Sequence, residues 1–271
     1  MNIHKLPGID PNELTIQTFD DVKLDGSLAR VFRYDEEIID DLETQGAGIY
    51  WAVNPQEGKN RGIDHTVQLL RIALDLDVSK DESDIRDTVT KLSPDDINLA
   101  KLELSGRLNA LEIPPSAIIE TKNGLQPYWI FDNPLVLDTV DKRREENARY
   151  SRLCSGLEKA IGTKNERKDI CGVFRLPGSL HQKNPGNPFE IKVTGNGNKV
   201  SLEKLMSLYL TEEECGITVT EFNKGSLSAD SIYLQPVKTM LALIIFHTND
   251  PFPSLNDWCI CVHRSLEFSP H

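Results

Sequence analysis

Three features that would each point directly to a class of protein are missing from this chain of 271 residues. No apolar run approaches the roughly 20 residues that a bilayer requires. The first residues lack the basic-then-apolar pattern of a signal peptide, and the five cysteines include no CxxC pair. We therefore expect a cytoplasmic protein with no membrane segment, no disulfide framework and no structural zinc site.

Positive charge is scarce overall but unevenly distributed. The net charge of −12 argues against a protein that coats DNA with its whole surface. Residues 142–204 nevertheless contain 14 Lys or Arg against 7 Asp or Glu, whereas the rest of the chain contains 16 against 35. Two interpretations stay open: this stretch binds a phosphate backbone, or it is a helix with a solvated basic face.

The residues that are present predict a globular protein with alternating strands and helices. Hydrophobic residues make up 39% of the chain, enough for a sizeable core. Residue patterns predict strands at 48–53, 71–78, 116–122 and 127–131. They also predict a helix at 93–113, capped by Ser93, and a second at about 140–161, ended by Gly162. Asn123-Gly124 predicts a hairpin turn, and further strands flank Pro177-Gly178. The expected class is α/β of the α+β kind, with a mixed, largely antiparallel sheet flanked by helices.

The stretch RIALDLDVSK, from Arg71 to Lys80, carries two aspartates at strand spacing. Because successive strand side chains point to opposite faces, one face takes the apolar residues Ile72, Leu74, Leu76 and Val78. The other face takes Asp75 and Asp77, about 6.5 to 7 Å apart at Cα. Such carboxylates can hold one hard cation or a pair, for which Mg²⁺ or Mn²⁺ is the natural choice. The alternative is a half-exposed edge strand with solvated acids.

Four motifs follow one another in a fixed order. They are GAGIYWAVN, RIALDLD, PPSAIIETKNGLQPYW, and DICGVFRLPGSLHQK followed by PFEIKV; an earlier FDDVK is also similar. In this order they resemble the plasmid and phage primase branch of the archaeo-eukaryotic primase superfamily, over roughly residues 15 to 205. The resemblance implies an RRM-like primase palm and a DNA primase or primer-polymerase. Such an enzyme joins nucleotides on a template with two Mg²⁺ or Mn²⁺ ions.

The resemblance also implies a set of site residues. Asp75 and Asp77 would hold the metal ions, with Asp169 as the candidate third carboxylate. Nucleoside triphosphates and a single-stranded DNA template would be bound by Lys122, Gln126, Arg175, His181 and Lys183. Structural roles are the alternatives: Asp169 could pair with Lys168 or Arg167, Arg175 could pair with Asp169, and His181 could cap a turn.

Two positions depart from the pattern of the family. Gln126 occupies the place where relatives usually have a histidine, shortly before the Tyr-Trp pair, and glutamine cannot carry a positive charge. Lys164 stands about where relatives often have an acid, and a lysine cannot bind magnesium. The alternative function is therefore a catalytically impaired, primase-like DNA-binding domain of a replication initiator.

The chain is expected to contain a catalytic domain and the start of a second one. Residues 1–210 form the predicted primase-polymerase domain, and the polar, turn-rich residues 211–231 form a linker. Residues 232–271, which include Trp258, resemble the start of a small helical domain. In relatives a helicase commonly follows, so we expect a longer replication protein with a helicase domain after this segment.

Overall fold

The structure is a computed structural model that describes residues 6–57, 60–78, 92–164 and 167–211. All of them fall within one unit, Met1–Thr218. Apart from Thr211, the predicted linker and the predicted helical segment at 232–271 lie outside the described residues. The division into domains therefore stays a prediction.

Twelve strands and four α-helices are present in the described residues. In chain order, the strands are β1 (Thr15–Asp20), β2 (Arg30–Arg33), β3 (Ala47–Ala52), β4 (Gln68–Ala73), β5 (Leu76–Asp77), β6 (Ala117–Glu120), β7 (Gly124–Val136), β8 (Val173–Arg175), β9 (Leu180–His181), β10 (Phe189–Glu190), β11 (Lys192–Gly195) and β12 (Lys199–Val200). The helices are α1 (Glu36–Thr44), α2 (Pro94–Asn109), α3 (Val140–Ile161) and α4 (Leu202–Tyr209).

The strands form two sheets and a small hairpin. The first sheet has the order β2-β1-β3-β8, and every pair in it is antiparallel. The second sheet has the order β11-β6-β7-β12, with β4 and β5 also paired to the long strand β7. Only the β12–β7 pair among these described strands is parallel. Strands β9 and β10 form the hairpin. The predicted mixed, largely antiparallel α+β class is confirmed.

The two sheets pack face to face, and helices cover the far side of the second sheet. The core between the sheets contains Ile16, Ile49, Trp51, Phe174, Ala73, Ile119, Tyr128 and Ile130. At its centre the ring of Trp51 stands edge-on to that of Tyr128, with centroids 5.7 Å apart. A second core lies between the second sheet and the helices, with Ile72, Leu74, Leu76, Trp129, Leu104, Leu108, Leu153 and Leu157. The second sheet is therefore buried on both faces.

The helix boundaries follow from capping residues that the sequence makes visible. The side chain of Ser93 accepts a hydrogen bond from the Asp96 amide at the start of α2, as predicted. Helix α3 ends where Gly162 adopts a left-handed conformation at φ 73°, again as predicted. Helix α2 ends at Asn109, before the predicted residue 113.

Within the ranges described, no helix is both long enough and apolar enough to span a membrane.

Candidate active site between the two sheets

The two aspartates lie where the strand predicted at 71–78 is interrupted. Strand β4 ends at Ala73 and β5 begins at Leu76. Opposite the break, Pro127 of β7 has no N–H to donate, although its carbonyl accepts a hydrogen bond from the Leu74 amide at 3.0 Å. The single continuous strand was therefore a wrong prediction, because the proline removes a ladder bond at this point.

The predicted alternation of the two faces nevertheless holds through the break. Leu74 and Leu76 are fully buried against the helices. Asp75 and Asp77 are half-buried, and both line a cleft that also contains residues of the first sheet. The acids are thus turned toward the first sheet and away from the helices.

This cleft has a volume of about 180 Å³. Its lining residues come from both sheets and from the segment after β9: Tyr50, Asp75, Leu76, Asp77, Thr121, Asn123, Gly124, Gln126, Arg175, His181 and Lys183. Six of the eight residues predicted for the site thus meet in one place. Lys122 and Asp169 are not among the lining residues, although the immediate neighbours of Lys122 are.

Gln126 connects the two sheets across the floor of the cleft. Its amide Nε2 donates a hydrogen bond to Asp75 Oδ1 at 2.8 Å, and its Oε1 accepts one from the Arg175 backbone amide at 3.1 Å. The residue is only 6% exposed. Because both ends of the amide are bonded to protein, Gln126 fixes the orientation of the Asp75 carboxylate.

Arg175 is held by a carboxylate that the sequence analysis did not assign to the site. Its Nη1 lies 2.8 Å from Asp21 Oδ2, and the two side chains are 5% and 1% exposed. The guanidinium also lies over the ring of Tyr50, 4.2 Å from its centroid. This pairing replaces the alternative that Arg175 pairs with Asp169.

The Asp21–Arg175 pair needs a glycine beneath it. A Cβ on residue 48 would lie 2.5 Å from Arg175 Nη1 and 2.6 Å from Asp21 Cγ, so only Gly48 leaves room for the pair. Asp21 belongs to the FDDVK motif and Gly48 to GAGIYWAVN. The motifs that carry the resemblance were the one sequence signal for these two residues. Spacing along the chain gives no signal for the ion pair, since 154 positions separate Asp21 from Arg175.

Electrostatics make His181 a neutral residue at physiological pH. Burial lowers the pKa of His181 to about 4, and the nearby charges of Arg175 and Lys183 act in the same direction. Burial also raises the pKa of Tyr50 to about 12, so its hydroxyl stays protonated. Without a ligand, the positive charge lining the cleft therefore comes from Lys183 and the paired Arg175.

Asp169 has a different environment from the other two predicted metal ligands. Its Oδ1 accepts a hydrogen bond from the thiol of Cys171 at 3.0 Å. It lies in the loop before β8. The neighbouring Lys168 pairs with Glu158, which argues against the alternative that Asp169 pairs with Lys168. Its role as a third metal ligand stays a prediction.

The cleft suits a divalent ion in part. Asp75 and Asp77 offer carboxylate oxygens on one strand face, the donor type that Mg²⁺ and Mn²⁺ prefer. No group of three His, Cys, Asp or Glu residues that could hold a metal occurs in the described ranges. Magnesium commonly takes one or two carboxylates and completes its shell with water and substrate phosphates. The residues therefore fit an ion that arrives together with a triphosphate.

Half of the 14 cations in the basic stretch at 142–204 form ion pairs within the described part of the chain. Seven of its cations pair with acids: Lys142, Arg143, Arg144, Arg149, Lys168, Arg175 and Lys204. Ion pairs of this kind leave less charge for a phosphate backbone. Both interpretations of the stretch stay open, but its available charge is smaller than the sequence suggests.

The chain is similar in fold to a solved archaeo-eukaryotic primase (AEP) domain, which agrees with the resemblance seen in the sequence. The solved structure that shows this is the AEP domain of the primase-polymerase of cyanophage S-2L. It aligns over 74% of this chain and 90% of that chain, with a TM-score of 0.52 and 16% identity. At that identity the likeness concerns the fold.

Two further solved structures are more distant. One is the primase RepB′, with a TM-score of 0.42, 15% identity, and coverage of 87% of this chain and 64% of that chain. The other is the catalytic domain of RepB′ in complex with initiator DNA, with a TM-score of 0.41, 13% identity, and coverage of 78% and 90%. Comparison with protein-family models and with curated proteins gave no match.

Proposed function

We propose that this chain is a DNA primase or primer-polymerase of plasmid or phage replication, which joins nucleotides on a single-stranded template. The observation that carries the proposal is the cleft itself. Asp75 and Asp77 form one wall, and Arg175 and Lys183 lie on the other. The fold shared with a phage primase-polymerase supports the same reaction class.

Each wall has a distinct task in this proposal. Asp75 and Asp77 hold Mg²⁺ or Mn²⁺, and such ions, when bound, stabilise the charge on the attacking and leaving oxygens of nucleotidyl transfer. Lys183, which is exposed, binds the triphosphate from the opposite wall. Arg175 adds a fixed positive charge, because Asp21 and Tyr50 hold it in place.

Gln126 is compatible with activity. A neutral imidazole has one donor and one acceptor nitrogen, and the glutamine amide also supplies one donor to Asp75 and one acceptor to the Arg175 amide. The amide therefore reproduces the hydrogen bonds that a neutral histidine offers at this position. What it cannot supply is a positive charge toward a phosphate.

The alternative function keeps the fold and loses the chemistry. In it, the chain is the DNA-binding, catalytically impaired part of a replication initiator. Two observations favour this alternative. Asp169 does not line the cleft, and Lys164 stands about where relatives often have an acid. The two functions differ in one measurable property, which is nucleotide joining.

The deciding experiment is incorporation of labelled nucleotides on single-stranded DNA, with and without a primer, in Mg²⁺ or Mn²⁺. Both ribo- and deoxyribonucleotides are supplied. We expect template-dependent products from the wild type and none from Asp75→Ala or Asp77→Ala. Asp132→Ala, which removes an exposed acid from the same sheet, is the matched control and should retain activity. Binding of DNA without incorporation under any of these conditions favours the initiator alternative.

A further inference from the structure

The first sheet has a second face, which points away from the second sheet. Strand register aligns four side chains across it: Val31 of β2, Gln17 of β1, Tyr50 of β3 and Arg175 of β8. Their neighbours Phe32, Trp51 and Phe174 point the opposite way, toward the other sheet. Tyr50 and Arg175 also line the cleft, so this outer face continues directly into it.

An aromatic pair stands on the outer face beside the cleft. The rings of Phe19 and Tyr50 meet edge to face, with centroids 5.1 Å apart and planes at 83°. Phe19 is 37% exposed, and its cross-strand neighbour Gly48 has no side chain. A large aromatic ring is thus held in a fixed place with part of its surface open to solvent.

Two arginines lie on the same face of the sheet as the aromatic pair. Arg33, which is exposed, donates to the Gln56 carbonyl at 3.0 Å. Arg61 donates to the Cys171 carbonyl at 3.0 Å and to Gln17 Oε1 at 3.4 Å. In the described residues, neither arginine forms an ion pair with a carboxylate. Their charge is therefore available, unlike that of the seven paired cations between positions 142 and 204.

This combination matches one kind of ligand. Exposed aromatic rings stack unpaired bases, and arginines beside them neutralise the phosphates that connect those bases. A duplex keeps its bases stacked inside and offers no such face to Phe19. Sheet surfaces that bind single strands elsewhere use the same two elements.

We propose that the outer face of the first sheet binds the single-stranded template, with a base against Phe19 and phosphates at Arg33 and Arg61. The surface leads the strand to the cleft, because Tyr50 belongs to both. The need for a template rests on the proposed function. Binding itself requires neither metal nor nucleotide, so it is measured separately from catalysis.

The test is fluorescence anisotropy of a labelled oligothymidine with the whole chain, over a series of salt concentrations and without metal or nucleotide. The variants are Phe19→Ala, Phe19→Trp, Arg33→Gln and Arg61→Gln. Arg107→Gln is the matched control, since Arg107 likewise donates to backbone carbonyls but lies on the helical side. Thermal unfolding of each variant confirms that it is folded.

The two kinds of variant should give different signatures. Phe19→Ala should weaken binding by roughly tenfold or more with an unchanged salt slope, and Phe19→Trp should preserve binding, because stacking is not ionic. Arg33→Gln and Arg61→Gln should each reduce the slope of log affinity against log salt by about 0.7, the value for one phosphate of a single strand. Arg107→Gln should leave both quantities unchanged.

Three results would contradict the proposal that this surface binds the template. Wild-type affinity and slope in folded Phe19→Ala and in both arginine variants would place the template elsewhere. Equal effects from Arg107→Gln would mean a diffuse attraction, and a change in self-association alone would identify a second copy of the chain as the partner. If the signatures appear but no nucleotide is joined, the surface holds and the proposed catalysis fails.

Discussion

The two walls of the cleft carry opposite charge and are stabilised in different ways. The acidic wall stands at a strand break, where Asp75 and Asp77 face the first sheet and Gln126 orients one of them. In the basic wall, buried Asp21 pairs with Arg175 and holds it in place, while Lys183 is exposed. The acids are therefore arranged to receive cations, whereas Arg175 is held in place by Asp21 and Tyr50.

The largest expected effect concerns the acidic wall. Asp75→Ala and Asp77→Ala should each abolish nucleotide joining, because each removes a carboxylate that the proposal assigns to metal binding. The circular dichroism spectrum and melting temperature should change little, since the apolar face of the strand is untouched. Near-wild-type incorporation by both variants would remove the acidic wall from the account.

A change in the basic wall should be visible as a loss of protein stability. Asp21→Ala leaves Arg175 buried without its partner, which typically costs about 3 to 5 kcal/mol of unfolding free energy. Asp64→Ala is the matched control, because it breaks an ion pair with Arg144 that is exposed, and it should change stability little. Urea denaturation measures both variants. If Asp21→Ala lowers the free energy of unfolding as little as Asp64→Ala does, the Asp21–Arg175 pair does not stabilise the basic wall.

Gln126 offers a smaller and more discriminating test of how the walls are joined. Gln126→Ala removes the bridge and should lower activity or metal affinity about 10- to 100-fold, as the loss of groups that orient metal ligands does. Gln126→His keeps one donor and one acceptor and should retain or raise activity. If the alanine variant is as active as the histidine variant, the bridge has no role in the site.

The smallest expected effect is a dependence of stability on pH. Because the pKa of His181 falls from its ordinary value of 6.5 to about 4 in the folded protein, the unfolded chain binds more protons between those values. The contribution of His181 to stability is therefore complete above pH 6.5 and declines as the pH falls toward 4. Urea midpoints at pH 7 and pH 5 should differ less for His181→Gln than for the wild type. An identical difference would contradict the lowered pKa.

Local sequence signals predicted the fold well where they are strong. Ser93 and Gly162 set helix ends, and the alternation in RIALDLDVSK placed Leu74 and Leu76 on the helical side. The break opposite Pro127 was missed, because it depends on which strand is the neighbour. Strand pairing is a property of the folded sheet and is not visible in one strand.

The site was predicted in the same uneven way. Ordered motifs led to six residues that meet in the cleft, but they gave no role to Asp21 or Tyr50. Charge counting also failed to distinguish paired cations from available ones. Arg33 and Arg61 lie outside the stretch that looked basic, and their availability follows only from which partners the fold places beside them.

A titration of Mn²⁺ followed by electron paramagnetic resonance, with and without a deoxynucleoside triphosphate, tests whether Asp75 and Asp77 form the metal site. The account predicts that Mn²⁺ binds the wild type more tightly when the triphosphate is present, because the two carboxylates leave coordination positions for its phosphates. Asp75→Ala and Asp77→Ala should lose this binding, and Asp132→Ala should keep it. Unchanged Mn²⁺ and triphosphate binding in both of the cleft variants would contradict the claim that the acidic wall is the metal site.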